Sequence, residues 1–424
     1  MSAPRHTSAP ISTTPRRVML YTHNSVGLGH VFRSLAVLTG MRYWAPAWDF
    51  LAVSGSSIPQ AFLGEGIEVL KLPGARMTVE QASPGLSPRH LKSLSLDGLF
   101  DLRTKLILDA FDCFAPEVVL VEHNLAGLMN ELVPLLLKKR MRRGGPRDFA
   151  LAHVSRGIMR PSPGIQLPRQ NPPHLADSID LAELYDFVYV LEDRQIAEAD
   201  EPLWQTGSGL AERTAFLGKI AIRNRAELPT APAAKRKWGL SEAPLILLSL
   251  GRFGAVSRMT RALGEALARD GLGAGHQLAV VVDPYLDPSE KESLQRCANE
   301  LGAALLGFNP YLVELVNAAE LVVCRAGYNT FNEVLLSGVR ALFVCEVHGG
   351  LEQERRVRQL AGAHQGTVSE EQVLVDGARE MLQRLLAAPR DSSPPVLDRF
   401  AIGGCMVRDL EQWWSGRSQA GSGG

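Results

Sequence analysis

Short apolar, β-branched runs recur along this chain, and helical stretches separate several of them. That alternation constrains the fold most, because strands joined in series by helices build parallel sheets covered on both faces. In the first half, residues 18–22, 50–53, 69–72, 118–121, 149–154 and 188–191 read as strands, with helices over 32–38 and 125–137. Residues 155–177 hold many prolines and read as a long loop. A second set of strands is expected at 245–250, 278–282, 304–306, 321–324 and 341–344. Between the sets, 226–243 carries Pro229 and Pro232, with Pro244 at its end, and has no apolar period. It reads as a linker. The expected organisation is a flexible tail at 1–16, α/β domains at 17–225 and 244–395, a helix at 396–415 that packs back across the boundary, and a soft tail at 416–424.

Composition narrows the function. The 45 basic and 45 acidic residues balance, which argues against a nucleic-acid binder that works by bulk charge. The five cysteines have no metal-ligand spacing and fit reduced, buried thiols in a cytoplasmic protein. The first 15 residues lack an apolar core, so a signal peptide is not expected. No apolar run is long enough to cross a membrane.

Two glycine-bearing turns follow strands. Gly27-Leu28-Gly29-His30 follows the first, and Arg325-Ala326-Gly327-Tyr328-Asn329-Thr330 follows residues 321–324. Helix N-termini there would offer free N–H groups and a positive dipole end to an anion. The pair implies a diphosphate-containing ligand held between domains. A nicotinamide fingerprint fails, because position 32 is Phe and the second strand runs into Val53-Ser54-Gly55 without an acid. His30, at the mouth of a helix, is either a general base or a helix cap.

The run Gly27-Leu28-Gly29-His30-Val31-Phe32-Arg33-Ser34-Leu35 resembles the N-terminal loop of GT-B glycosyltransferases. The likeness is to the family 28 group, which includes the peptidoglycan N-acetylglucosaminyltransferase, and to bacterial predicted glycosyltransferases related to it. Phe308-Asn309-Pro310-Tyr311-Leu312, Arg325-Ala326-Gly327 and Glu352-Gln353 are similar to that group's donor-binding region. Val118 to Val133 also resembles the predicted glycosyltransferases, and the likeness spans residues 17–366. It implies an α/β GT-B fold, with two Rossmann-like domains facing a cleft.

The resemblance also implies roles. His30 would deprotonate the acceptor, and Glu122 would orient it. Gly29, Gly251, Arg252, Arg325, Gly327, Asn329 and Thr330 would hold the donor, with the arginines supplying charge to its diphosphate. Glu333 would bind ribose hydroxyls or merely offset the helix dipole. Phe308 would line the base pocket or belong to the core. Glu352 and Gln353 would contact the sugar, and His123 and Arg156 the acceptor. No metal and no cofactor beyond the nucleotide sugar are expected, since no Asp-x-Asp pair occurs.

The basic cluster Lys138-Lys139-Arg140-Met141-Arg142-Arg143 reads as a solvated helix end more readily than as a membrane contact. The implied reaction is inverting transfer to a small-molecule acceptor through an oxygen, nitrogen or sulfur nucleophile, in a setting such as antibiotic biosynthesis. The alternatives are a GT-B-fold sugar-nucleotide 2-epimerase and a non-catalytic partner.

Overall fold

The computed structural model describes residues 9–23, 29–80, 83–156, 165–166, 178–179, 184–197, 211–345, 353, 356–358, 360 and 362–421. The chain divides into two compact units. Residues 6–220 and 398–424 form the first, and residues 221–397 with 1–5 the second.

In the first unit, seven parallel strands build one sheet. They are β1 (Arg17–Thr22), β2 (Asp49–Ser54), β3 (Glu68–Lys71), β6 (Val118–Glu122), β7 (Ala150–Ser155), β10 (Phe187–Val190) and β11 (Thr214–Phe216). Two antiparallel pairs stand apart from it: β4 (Ala75–Glu80) with β5 (Ser83–Pro88), and β8 (Ile165–Gln166) with β9 (Ser178–Ile179). The order β11-β10-β7-β6-β1-β2-β3 reverses direction between β1 and β6. Ligands of such sheets bind in the crevice at that switch point, beyond the carboxyl ends of the strands.

Helix α1 (Gly29–Trp44) is buried along most of its length, because the last helix, Arg399–Gly421, packs along it. Glycines permit the contact. A Cβ on Gly403 would stand 2.1 Å from the carbonyl carbon of Gly40, and a Cβ on Gly40 would stand 2.2 Å from the Arg399 oxygen. Trp44 Nε1 donates to Phe400 O at 2.6 Å.

The second unit repeats the plan with six parallel strands, β12 (Leu245–Ser249), β13 (Gln277–Val281), β14 (Ala304–Leu306), β15 (Leu321–Cys324), β16 (Arg340–Cys345) and β17 (Gln365–Ser369). Their order, β14-β13-β12-β15-β16-β17, puts the switch point between β12 and β15. Both faces are apolar, which explains the unbroken hydrophobic runs. Ile246, Leu248, Val323 and Leu342 pack on one side, and Leu245, Leu247, Val322 and Phe343 on the other.

Several expectations change. The stretch 226–243 is no open linker. Ala231–Lys237 is a helix with Ala234 and Lys235 buried, and it packs on the helix Leu312–Ala318. Pro232 lies in its first turn, where a missing N–H costs nothing. The expected helix over 125–137 begins only at Val133 and runs to Arg142. Before it, Asn124 Oδ1 accepts from Ala126 N, and Met129 and Asn130 have positive φ, so the chain turns instead of winding. The terminal helix runs on to Gly421, past the expected start of the tail at 416.

The basic cluster on the helix Val133–Arg142 is partly internal. Lys139 is fully buried against Asp148 and Asp186, and Lys138 pairs with Asp112. All five cysteines are free, Cys113 being exposed rather than buried. No helix among the described residues is long and apolar enough to cross a membrane.

Candidate active site

Each unit gathers polar groups at its switch point, by different means. In the first unit the pairing of β1 with β6 runs at a constant offset, Val18 opposite Val118 through Tyr21 opposite Val121. The residues after these pairs carry the chemistry. Thr22 Oγ1 reaches Glu122 Oε2 at 3.4 Å. The His23 and His123 rings stack with centroids 5.3 Å apart. His30, from the first turn of α1, has its ring centroid 4.5 Å from that of His23 and 5.0 Å from that of His123.

Glu122 is fully buried. One oxygen, Oε2, lies 2.8 Å from His30 Nδ1. The other accepts from Arg33 through Nε at 2.9 Å and through Nη2. Burial pushes the Glu122 pKa up, but Arg33, then His30, pull it the other way and hold it well below the usual range. An ionised carboxylate only accepts, so His30 Nδ1 carries its proton toward Glu122. Arg33 Nη2, which also bonds the carboxylate, lies 3.1 Å from that nitrogen. In the neutral imidazole the second ring nitrogen of His30, Nε2, therefore carries the lone pair, as in a catalytic dyad.

His23 and His123 are held neutral. Burial, then repulsion from His30, lowers them to about 3 and about 2 respectively. Arg156, half-buried after β7, adds to the lowering at His123. Among the described residues, their buried Nδ1 atoms have no hydrogen-bond partner. His123 also has a φ of 71°, a left-handed backbone uncommon outside glycine.

A buried network fixes the turn after β6. Arg103 grips both oxygens of Glu131 at 2.6 Å, a bidentate geometry that sets orientation. Glu131 accepts from the Tyr21 hydroxyl, which itself accepts from Leu128 N at 2.9 Å. Sequence reading missed Arg33, His23 and this network. The signals available were Arg33 one turn after His30, and a histidine directly after the first strand.

In the second unit the helix Tyr328–Ser337 opens at Gly327, and a Cβ placed there would meet nothing within 4 Å. The first N–H groups of such a helix lack partners inside it. Asn329 and Thr330 are half-buried in that first turn. Glu333 is 6% exposed, and burial raises its pKa to about 8. Among the described residues its carboxyl has no hydrogen-bond partner.

Arg325 differs from the simple expectation of a charge held out to a diphosphate. Its side chain is 9% exposed and pairs with Glu370, and it donates to Leu250 O at 3.2 Å and Phe253 O at 2.9 Å. It thus braces the loop after β12. Gly251 and Gly254 in that loop have φ of 72° and 75°, which glycine adopts without strain. Arg252 reaches back over the rings of Phe253 and Tyr285.

Phe308 is half-buried. Asn309 Oδ1 accepts from Tyr311 N at 2.9 Å, so the amide shapes its own turn. Gln353 is half-buried, and its buried Oε1 has no partner among the described residues. Arg356, which sequence reading passed over, is buried and donates to Ala326 O at 3.2 Å. Gly27, Leu28 and Glu352 lie outside the described residues.

Comparison with known proteins agrees with this plan. Residues 269–393 match the glycosyltransferase family 28 C-terminal domain. The UDP-N-acetylglucosamine--N-acetylmuramyl-(pentapeptide) pyrophosphoryl-undecaprenol N-acetylglucosamine transferase of Corynebacterium efficiens is 33% identical over 210 residues, covering 46% of this chain and 52% of that protein. This chain thus spans about half the length of that curated relative, and 41% of the enzyme of the same name from Xanthomonas axonopodis.

Among solved structures, a putative UDP-N-acetylglucosamine 2-epimerase from Listeria monocytogenes aligns with a TM-score of 0.60 at 12% identity, over 96% of this chain and 98% of that one. The glycotransferase of kitacinnamycin aligns at 0.53 and 16%, over 93% and 96%. The chain is related to glycosyltransferase family 28 and has two Rossmann-like α/β halves of the GT-B type.

Proposed function

We propose that this protein is a glycosyltransferase that moves a sugar from a nucleoside-diphosphate sugar to a small-molecule acceptor, with inversion at the anomeric carbon. The His30–Glu122 pair carries the reading. Glu122 fixes the tautomer, so that Nε2 of His30 is free to take the proton of an acceptor hydroxyl or amine. The second unit takes the donor. The open N-terminus of the helix Tyr328–Ser337 and the loop Gly251–Gly254 bind the diphosphate, and Glu333 binds the ribose.

A buried carboxyl with no partner is costly unless a ligand supplies the missing hydrogen bonds, and ribose hydroxyls supply two. Arg325 acts by holding the phosphate loop in shape, while the helix N-terminus supplies the positive potential. Transfer accordingly continues in excess chelator. The direct test is mass-spectrometric detection of glycosylated product from a panel of nucleotide sugars and acceptors. A panel in which every nucleotide fails to shift the melting temperature and no sugar moves would end this reading.

A second reading, sugar-nucleotide 2-epimerisation, is kept by one observation. Several titratable groups, His23, His30, His123 and Glu122, converge in the first unit. Incubation with a nucleotide sugar and no acceptor separates the two, because an epimerase yields the 2-epimer and a transferase does not.

A further inference from the structure

The three histidines at the first switch point are closer to a metal site than a lone base requires. One ring nitrogen from each of His23, His30 and His123 lies within 4.8 Å of the other two. They come from three different element ends, after β1, in the first turn of α1 and after β6. A tetrahedral ion with metal–nitrogen bonds of about 2.0–2.1 Å needs its nitrogens roughly 3.3 Å apart. Small side-chain rotations therefore close the set. Buried polar atoms without partners call for an explanation, and among the described residues the Nδ1 atoms of His23 and His123 are two such atoms.

The supporting shell is also in place. Histidines that bind metals almost always give their other N–H to a carboxylate or carbonyl, and His30 already faces Glu122 at 2.8 Å through Nδ1. Glu122 is held in turn by Arg33. Three neutral imidazoles with a fourth position open suit zinc and neighbouring transition metals, not magnesium or calcium.

We propose that His23, His30 and His123 form a binding site for one divalent transition-metal ion, zinc above all, in the first unit. The cationic side chains of Arg33 and Arg156 border the cluster, so the fourth ligand is an oxygen anion such as hydroxide or carboxylate. The ion uses the same lone pair of His30 that proton abstraction needs. A bound ion therefore idles the base, a consequence that rests on the transferase reading, whereas the binding site itself does not.

The test uses the full chain, freed of any affinity tag and stripped of metal. Calorimetric titration with zinc is expected to give one tight site per chain. Cobalt in its place should give the visible bands of a tetrahedral nitrogen site without a thiolate charge-transfer band. His23→Ala and His123→Ala should each lose more affinity than Glu122→Gln, for which the loss should be about 10–100-fold. X-ray absorption at the zinc edge of the wild-type protein should count three imidazoles, a readout that needs no variant to fold.

No stoichiometric binding, a thiolate band, or fewer than two imidazoles overturns the proposal. So does wild-type affinity in both histidine variants. Zinc should also inhibit transfer reversibly. Binding at this site without inhibition would leave the metal site standing and remove His30 from the role of base.

Discussion

The two units share a topology and place their polar groups at equivalent points of it, yet they build those points differently. The first unit brings side chains together. His23, His30, Glu122 and His123 converge from three element ends, and the acid among them is buried and paired. The second unit presents backbone, a helix start with open space at Gly327 and one buried carboxyl, Glu333, without a hydrogen-bond partner among the described residues. Side chains that titrate suit proton transfer. A helix N-terminus suits an anion whose negative charge grows as it leaves. The contrast supports a division of labour, chemistry on the acceptor in the first unit and recognition of the donor in the second.

Breaking the first unit's side should have the largest effect. With a hydroxyl acceptor, His30→Ala should lower turnover by about 10²–10⁴, with nucleotide affinity unchanged. With a thiol acceptor the loss should be smaller and should shrink as pH rises, because the thiolate forms unaided. Turnover of the folded variant across pH reads both. A wild-type rate at every pH would reduce His30 to a cap.

The next effect tests the scaffold behind that side. Gly403→Ala puts a Cβ 2.1 Å from backbone of α1, so the terminal helix must shift. A loss of about 1–3 kcal/mol is expected from overpacking. Thermal or chaotropic denaturation that shows no loss would mean the helix contact is looser than described.

The smallest effect is a slope. Burial raises Glu333 from 4.5 to about 8, so the folded state holds a proton that the unfolded state has released. Its contribution to stability is complete below about 4.5 and is lost as pH rises through about 8, at no more than about 1.4 kcal/mol per pH unit. Glu333→Gln should flatten that part of the profile. Ligand hydroxyls that bond the carboxylate should also release up to one proton on nucleotide binding near neutral pH, measurable by calorimetry in buffers of different ionisation heat. Equal heats in all buffers would show that Glu333 does not change state.

Strands of the second unit were legible wherever burial on both faces made an apolar run, as at Leu321–Cys324. Gln365–Ser369 escaped, because an edge strand of Gln, Gly, Thr, Val and Ser shows neither alternation nor a run. The prolines of 226–243 misled, since proline in a helix's first turn looks the same in sequence as proline in a linker. The strand, turn and helix over 321–337 were legible because their residues are contiguous. The histidine cluster was not, since it arises from the pairing of β1 with β6 across 100 residues, and nothing local in the sequence states that register.

The division of labour is tested most directly by calorimetric titration of one nucleoside diphosphate into three proteins side by side, wild type, Glu333→Ala and His30→Ala. Glu333→Ala should weaken binding by roughly 1.5–3 kcal/mol, the range for hydrogen bonds to a charged group, while His30→Ala binds like wild type. Unchanged affinity in folded Glu333→Ala, or a loss confined to His30→Ala, would contradict it.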